Sequence, residues 1–126
     1  MTLAKPWLSH YQAGIPAEID YTIYTSLTDL LEQAFKEHGK RDAVAFMEVR
    51  WTYGQLDELS KALAGWFQSR GLAKGARIAL MMPNVPQYMV AIAAVLRAGY
   101  VVVNVNPLYT PRELEHQLKD SGAKVD

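Results

Sequence analysis

The sequence predicts an α/β fold, a layered parallel or mixed sheet flanked by helices. Three observations carry this. Four segments of helical periodicity each open on a capping side chain and stop at a glycine. Between them lie short apolar runs of strand length. The two kinds alternate along the chain, which is the pattern of crossovers over a sheet.

Residues 1–25 precede this pattern. "KPWLSHYQAGIPAEIDYTIY" holds Pro6 and Pro16, the large rings of Trp7, Tyr11, Tyr21 and Tyr24, and no period. So many rings suit an extended arm lying on a surface, its own or a neighbour's. Residues 26–126 form the α/β part. Ser26-Leu-Thr-Asp29 opens the first helix as a variant capping box, and Gly39 closes it. Leu27, Leu30, Leu31, Ala34 and Phe35 share one face of it.

Ala43–Met47 and Val49–Trp51 read as a short hairpin, although no Gly or Asn marks the turn near Glu48. Thr52 and Gln55 form a full capping box, with Trp51 and Leu56 spaced as a hydrophobic staple. The second helix carries the stripe Leu56, Leu59, Leu63, Trp66 and Phe67, and ends at Gly71. Both striped helices are expected to pack one side on a sheet. Arg77–Met82 and Tyr100–Val105 are near-continuous apolar runs, expected as parallel strands buried on both faces.

Asn84-Val-Pro-Gln87 is expected to cap the third helix. Its body, "YMVAIAAVL", is apolar all round, more than three strands can cover, and it ends at Gly99. Thr110 and Glu113 form a second full box, with Pro111 at the first helical position and Tyr109 and Leu114 as a second staple. The fourth helix turns Leu114 and Leu118 inward and stops at Gly122. All four glycine stops are expected in the left-handed conformation. The helices then fall near residues 27–38, 53–70, 85–98 and 111–121, to within about three residues at each end. After Gly122 comes "AKVD", where Val125 reads as the first apolar residue of another strand. The sequence thus reads as an incomplete α/β unit, against the alternative of a compact domain whose last helix ends the protein.

Composition narrows the function. Lys+Arg and Asp+Glu both number 13. This balance argues against a basic nucleic-acid surface. There is no cysteine, which excludes disulfides, thiolate catalysis and cysteine-based zinc sites. The most apolar stretch, Tyr88 to Val105, is broken by Arg97 and Gly99 and reads as core, not as a membrane span.

Ligands of α/β proteins gather at the carboxyl ends of strands. Here those ends read "PNVPQ" and "NPLYTPRE", without the glycines that let a backbone approach phosphate. Asn104 and Asn106 sit at a strand end, where they are expected to shape the turn before Pro107. His10, His38 and His116 have no neighbour at metal-ligand spacing. Glu113 is the cap partner and Glu115 faces elsewhere. Ser9, Ser60 and Ser69 lack a nucleophile-elbow setting. The charges of the first two helices read as solvated faces. No catalytic, cofactor-binding or metal-ligating residue is assigned.

"WTYGQLDELSKALAGWFQSRGLAKGARIALMMPN", centred on Thr52 to Leu56, resembles the first signature region of the adenylate-forming enzymes. "LRAGYVVVNVNPLYTPRELEHQLKDSGAK", centred on Leu96 to Gly99, resembles the second. With "KPWLSHY" and "GIPAEID", the whole is similar to bacterial long-chain-fatty-acid–CoA ligases. The resemblance implies an incomplete N-terminal subdomain of an acid–thiol ligase. In such an enzyme a fatty acid attacks ATP with Mg²⁺, and CoA takes the acyl group from the adenylate. It also implies that the reactive groups lie beyond Asp126, that the fragment is inert, and that the parent is cytoplasmic or peripheral at the inner face of the membrane. A homodimer or larger self-association through the arm and exposed apolar faces is expected. The hairpin turn departs from the family in lacking a glycine near Glu48.

Two other classes stand beside this. A free-standing ligand-binding domain of flavodoxin or receiver type would show flavin or acidic strand ends; here the strand ends are Asn and Pro. A protein-interaction module would depend on the arm.

Overall fold

The computed structural model describes residues 4–123. A 3-10 turn at Pro6–His10 is followed by α1 (Leu27–His38), β1 (Asp42–Phe46), β2 (Val49–Thr52), α2 (Tyr53–Ser69), β3 (Arg77–Met81), α3 (Pro86–Arg97), β4 (Val101–Val105) and α4 (Pro111–Ser121). The alternation is as expected from the sequence; Val125 lies outside the described residues. The sheet differs. In place of one layered sheet there are two small ones, the antiparallel pair β1–β2 and the parallel pair β3–β4. The hairpin closes on itself, and Val44 and Trp51 pack with Phe35, Leu56 and Val90. Ile78, Leu80, Ala91, Val95 and Tyr100 form a second cluster.

The caps follow local chemistry. Ser26 accepts from the Asp29 amide. Both full boxes form: the Gln55 side chain accepts from the Thr52 amide at 2.9 Å, and that of Glu113 from the Thr110 amide at 2.8 Å. Asn84 does not cap α3. Val85 holds the N-cap position and Pro86 the first helical one, because the fixed φ of proline starts the helix there. Gly71, Gly99 and Gly122 are left-handed, but Gly39 stays right-handed at φ −46°. Its carbonyl accepts from the Gly54 amide at 2.9 Å, and a Cβ on Gly54 would lie 3.0 Å from that oxygen. The end of α1 is thus fastened to the start of α2, and residue 54 must be small. In the hairpin turn Met47 takes φ 52°, a conformation usually left to glycine or asparagine.

Packing departs from expectation at two places, α2 and the strand pair, while the all-round cover that the apolar α3 requires is present. The helix α2 lies chiefly along α3 rather than on a sheet, because Ala91, Ala93 and Ala94 let the two approach closely. Consequently α3 is covered on both sides, and only Gln87 and Met89 along it are exposed. The strands β3 and β4 are not buried on both faces: Ile78, Leu80 and Val105 are buried, while Met81, Val101 and Asn104 are exposed. No helix among the described residues is long and apolar enough to cross a membrane.

Candidate functional site

The carboxyl ends of β3 and β4 are the first place to look for chemistry. Here most polar groups are already engaged, although Gln117 Oε1 is buried without a hydrogen-bond partner. Tyr88 donates its hydroxyl to Asn104 Oδ1 at 2.5 Å, and Gln117 Nε2 donates to the Asn104 carbonyl at 2.8 Å. Asn106 Oδ1 accepts from the Leu108 amide at 3.0 Å, and the Asn106 carbonyl accepts from the Tyr109 amide. Asn106 therefore builds the turn into α4, as its position before Pro107 suggests. The Glu113 carboxyl is held below its usual range, first by the Thr110 amide and then by its hydroxyl. The junction is a cap and a turn with no glycine-lined cradle.

The histidines stay apart. His38 meets Tyr53 edge-on with ring centroids 5.7 Å apart, while His10 ends the 3-10 turn and His116 lies on the exposed side of α4. Among the described residues no three His, Asp or Glu side chains gather as a metal site. Glu115 pairs with Lys119, Ser9 donates to the Pro6 carbonyl, and Ser69 donates to the Trp66 carbonyl.

The polar centre of the molecule is Arg97, at the last turn of α3. Its side chain is 6% exposed. Nε meets Glu32 of α1 at 2.7 Å, and Nη2 meets Asp57 of α2 at 2.7 Å. Nη1 donates to Ser60 Oγ at 2.7 Å and to the Asp57 carbonyl at 3.0 Å. The guanidinium also lies over the Phe35 ring, 5.0 Å from its centroid. Burial disfavours the Asp57 charge, but hydrogen bonds and charge from Lys61 and Arg97 outweigh it and hold the carboxyl below its usual value. Glu32 and Asp57 thus converge on one buried cation, which corrects the reading of these charges as merely solvated. The signal was present: a lone charge in a helix apolar on all sides must find partners. Each of its three nitrogens is engaged, so the group works as a clamp between three helices and not as an anion receptor.

The AMP-binding enzyme family model matches residues 31–125. The long-chain-fatty-acid–CoA ligase of Escherichia coli O6:H1 is 52% identical over 124 residues, covering 98% of this chain and 22% of that protein. The protein of the same name from Bacillus subtilis strain 168 is 38% identical over 125 residues, again 22% of its length. The N-terminal subdomain of Klebsiella oxytoca NpsA, solved with 3-hydroxyanthranilyl-AMSN, superposes with a TM-score of 0.75 at 28% identity, covering 78% of this chain and 25% of that one. The chain therefore spans about a fifth of the length of the curated relatives it matches.

Proposed function

Because this chain belongs to the AMP-binding enzyme family, we propose that it serves as N-terminal scaffold in a long-chain-fatty-acid–CoA ligase. The observation that carries this is its 52% identity, over nearly its whole length, to an enzyme of that name. The whole protein would join a long-chain fatty acid to CoA at the expense of ATP, with Mg²⁺, through an acyl-adenylate. The described residues do not fit the nucleotide or the metal. Their strand ends have no glycine-rich loop, and Asp57 and Glu113 are spent on the clamp and the cap. These residues instead hold a rigid frame, and no catalytic, cofactor-binding or metal-ligating role is assigned to any of them.

Residues 1–25 are read as an arm and 26–126 as the α/β subdomain. Ile19 and Tyr21 are each 87% exposed, which supports a homodimer joined through the arm. A cytoplasmic enzyme, peripheral at the inner face of the membrane, suits a lipid substrate.

Fatty-acid-dependent ATP–pyrophosphate exchange tests the central reading. The 126-residue chain should give none above a buffer blank, and the product of the full reading frame should turn over long-chain acids. Exchange by the short chain, or a full-length product inert toward such acids, would refute it.

A further inference from the structure

The outer face of α2 carries a partly apolar stripe with complementary charges at its two ends. We infer that it seats the same stripe of a second copy, the two α2 helices running antiparallel across a two-fold axis. This contact shares no residue with the arm and does not depend on the ligase reading.

The stripe follows from the helix period. The inner side of α2 buries Leu56, Ser60 and Ala64. Leu59, Ala62, Trp66 and Ser69 stand at helical spacing on the other side, and all four are exposed. Leu59 is 44% exposed and Trp66 52%. Trp66 also borders an apolar trough of about 300 Å³ beside β3. Large apolar side chains grouped on an exposed helix face are what a partner buries. Among them lies Gly65, well inside the helix. A Cβ there would meet nothing within 4 Å. Packing within the chain therefore does not require this glycine, although glycine inside a helix is destabilising relative to alanine. Open space on the outer face is what a second helix needs for close approach.

The charges name the occupant. Asp57 pairs with Lys61 and with Arg97. Glu58, near the amino end of α2, and Arg70, just past its carboxyl end, enter no ion pair among the described residues; the Arg70 guanidinium lies over the Trp66 ring, 5.4 Å from its centroid. An acid at one end and a base at the other make the stripe complementary to itself once reversed. The register that sets Glu58 of one copy opposite Arg70 of the other also sets Trp66 opposite Ala62, large against small. The two-fold axis makes each of these contacts twice. A parallel pair in register would instead set Glu58 against Glu58, Arg70 against Arg70 and Trp66 against Trp66.

Sedimentation velocity tests this, on the 126-residue chain and on the product of the full reading frame. Both should associate. Glu58→Arg alone and Arg70→Glu alone each bring like charges together, and each should weaken association by about 10-fold or more. An equimolar mixture of the two variants restores opposite charges at both ends and should associate about as tightly as wild type. Gly65→Lys fills the space that the second helix needs, and should weaken association with helix content unchanged. A monomer at every concentration, single variants that associate like wild type, or a mixture no tighter than its parts would overturn the pairing. So would a Gly65→Lys chain with wild-type association. An effect confined to the short chain would also overturn it, by giving the face to another segment of the same polypeptide.

Discussion

The two sides of this molecule finish their packing differently. Around Arg97, the helices α1, α2 and α3 close on one another: the cation is buried, its three nitrogens are engaged, and Ser60 beside it is sealed from solvent. Around β3, the same chain leaves Trp66 and Met81 exposed and one strand edge open. The closed side draws every partner from residues 27–105. The open side presents a surface that these residues do not complete. The same fold is thus sealed where three helices meet and open along one strand.

Breaking the clamp should produce the largest effect. Arg97→Ala leaves Asp57 and Ser60 facing a hole where a cation stood, and loss of one buried partner costs about 3–5 kcal/mol. That is a large share of the roughly 5–15 kcal/mol that holds a domain together. Urea denaturation should show the midpoint falling steeply. Glu32→Gln should cost under about 1 kcal/mol, because the Glu32 side chain is half exposed and its pairing is screened. A mild Arg97→Ala would mean that the closed side does not depend on its charge.

Asp57 sharpens the comparison through pH. Its folded carboxyl is more acidic than the unfolded one. Its stabilising share is therefore fully present above the unfolded value of about 3.9, and is lost as pH falls through the lower folded value. Asp57→Asn should cost about 2 kcal/mol at pH 7, in the range of hydrogen bonds to charged groups. The gap between wild type and variant should narrow as pH drops below about 4. A gap that stays constant down to pH 3 would remove Asp57 from the clamp's electrostatics.

What was legible in the sequence was local. Thr52 with Gln55, and Thr110 with Glu113, are three residues apart, and both boxes formed as read. The Asn84 cap failed within the same short range, because Pro86 set the helix start. Arg97 was visible as a lone charge, but Asp57 lies 40 residues away from it, and only the packing of α2 along α3 brings them together. Gln117 was likewise one polar residue on a polar helix until the turn at Asn106 laid it against Asn104. The split into two sheets was hidden because apolar runs state which residues want cover, not which strand will pair with which. The candidate site reads the same way: the absence of a phosphate loop is plain in "PNVPQ" and "NPLYTPRE", while the trough exists only in three dimensions.

The two capping boxes give a small effect and the most discriminating one, since the same motif, with Gln55 as partner in one and Glu113 in the other, sits on opposite sides. Each Thr→Ala should remove about 1 kcal/mol from its own helix. Thr52 starts α2, which packs on α1, α3 and the hairpin, so its loss cannot be absorbed locally. Thr52→Ala should lower the global stability by nearly the full amount. Thr110 starts α4, which has no buried residue and is tied to the rest through Gln117 and the inner leucines. Thr110→Ala should instead fray that helix: its amides should exchange faster while the global midpoint moves by less than half as much as for Thr52→Ala. Equal costs in the short chain would show that α4 is already fully coupled there, and that the two sides differ in exposure but not in stability.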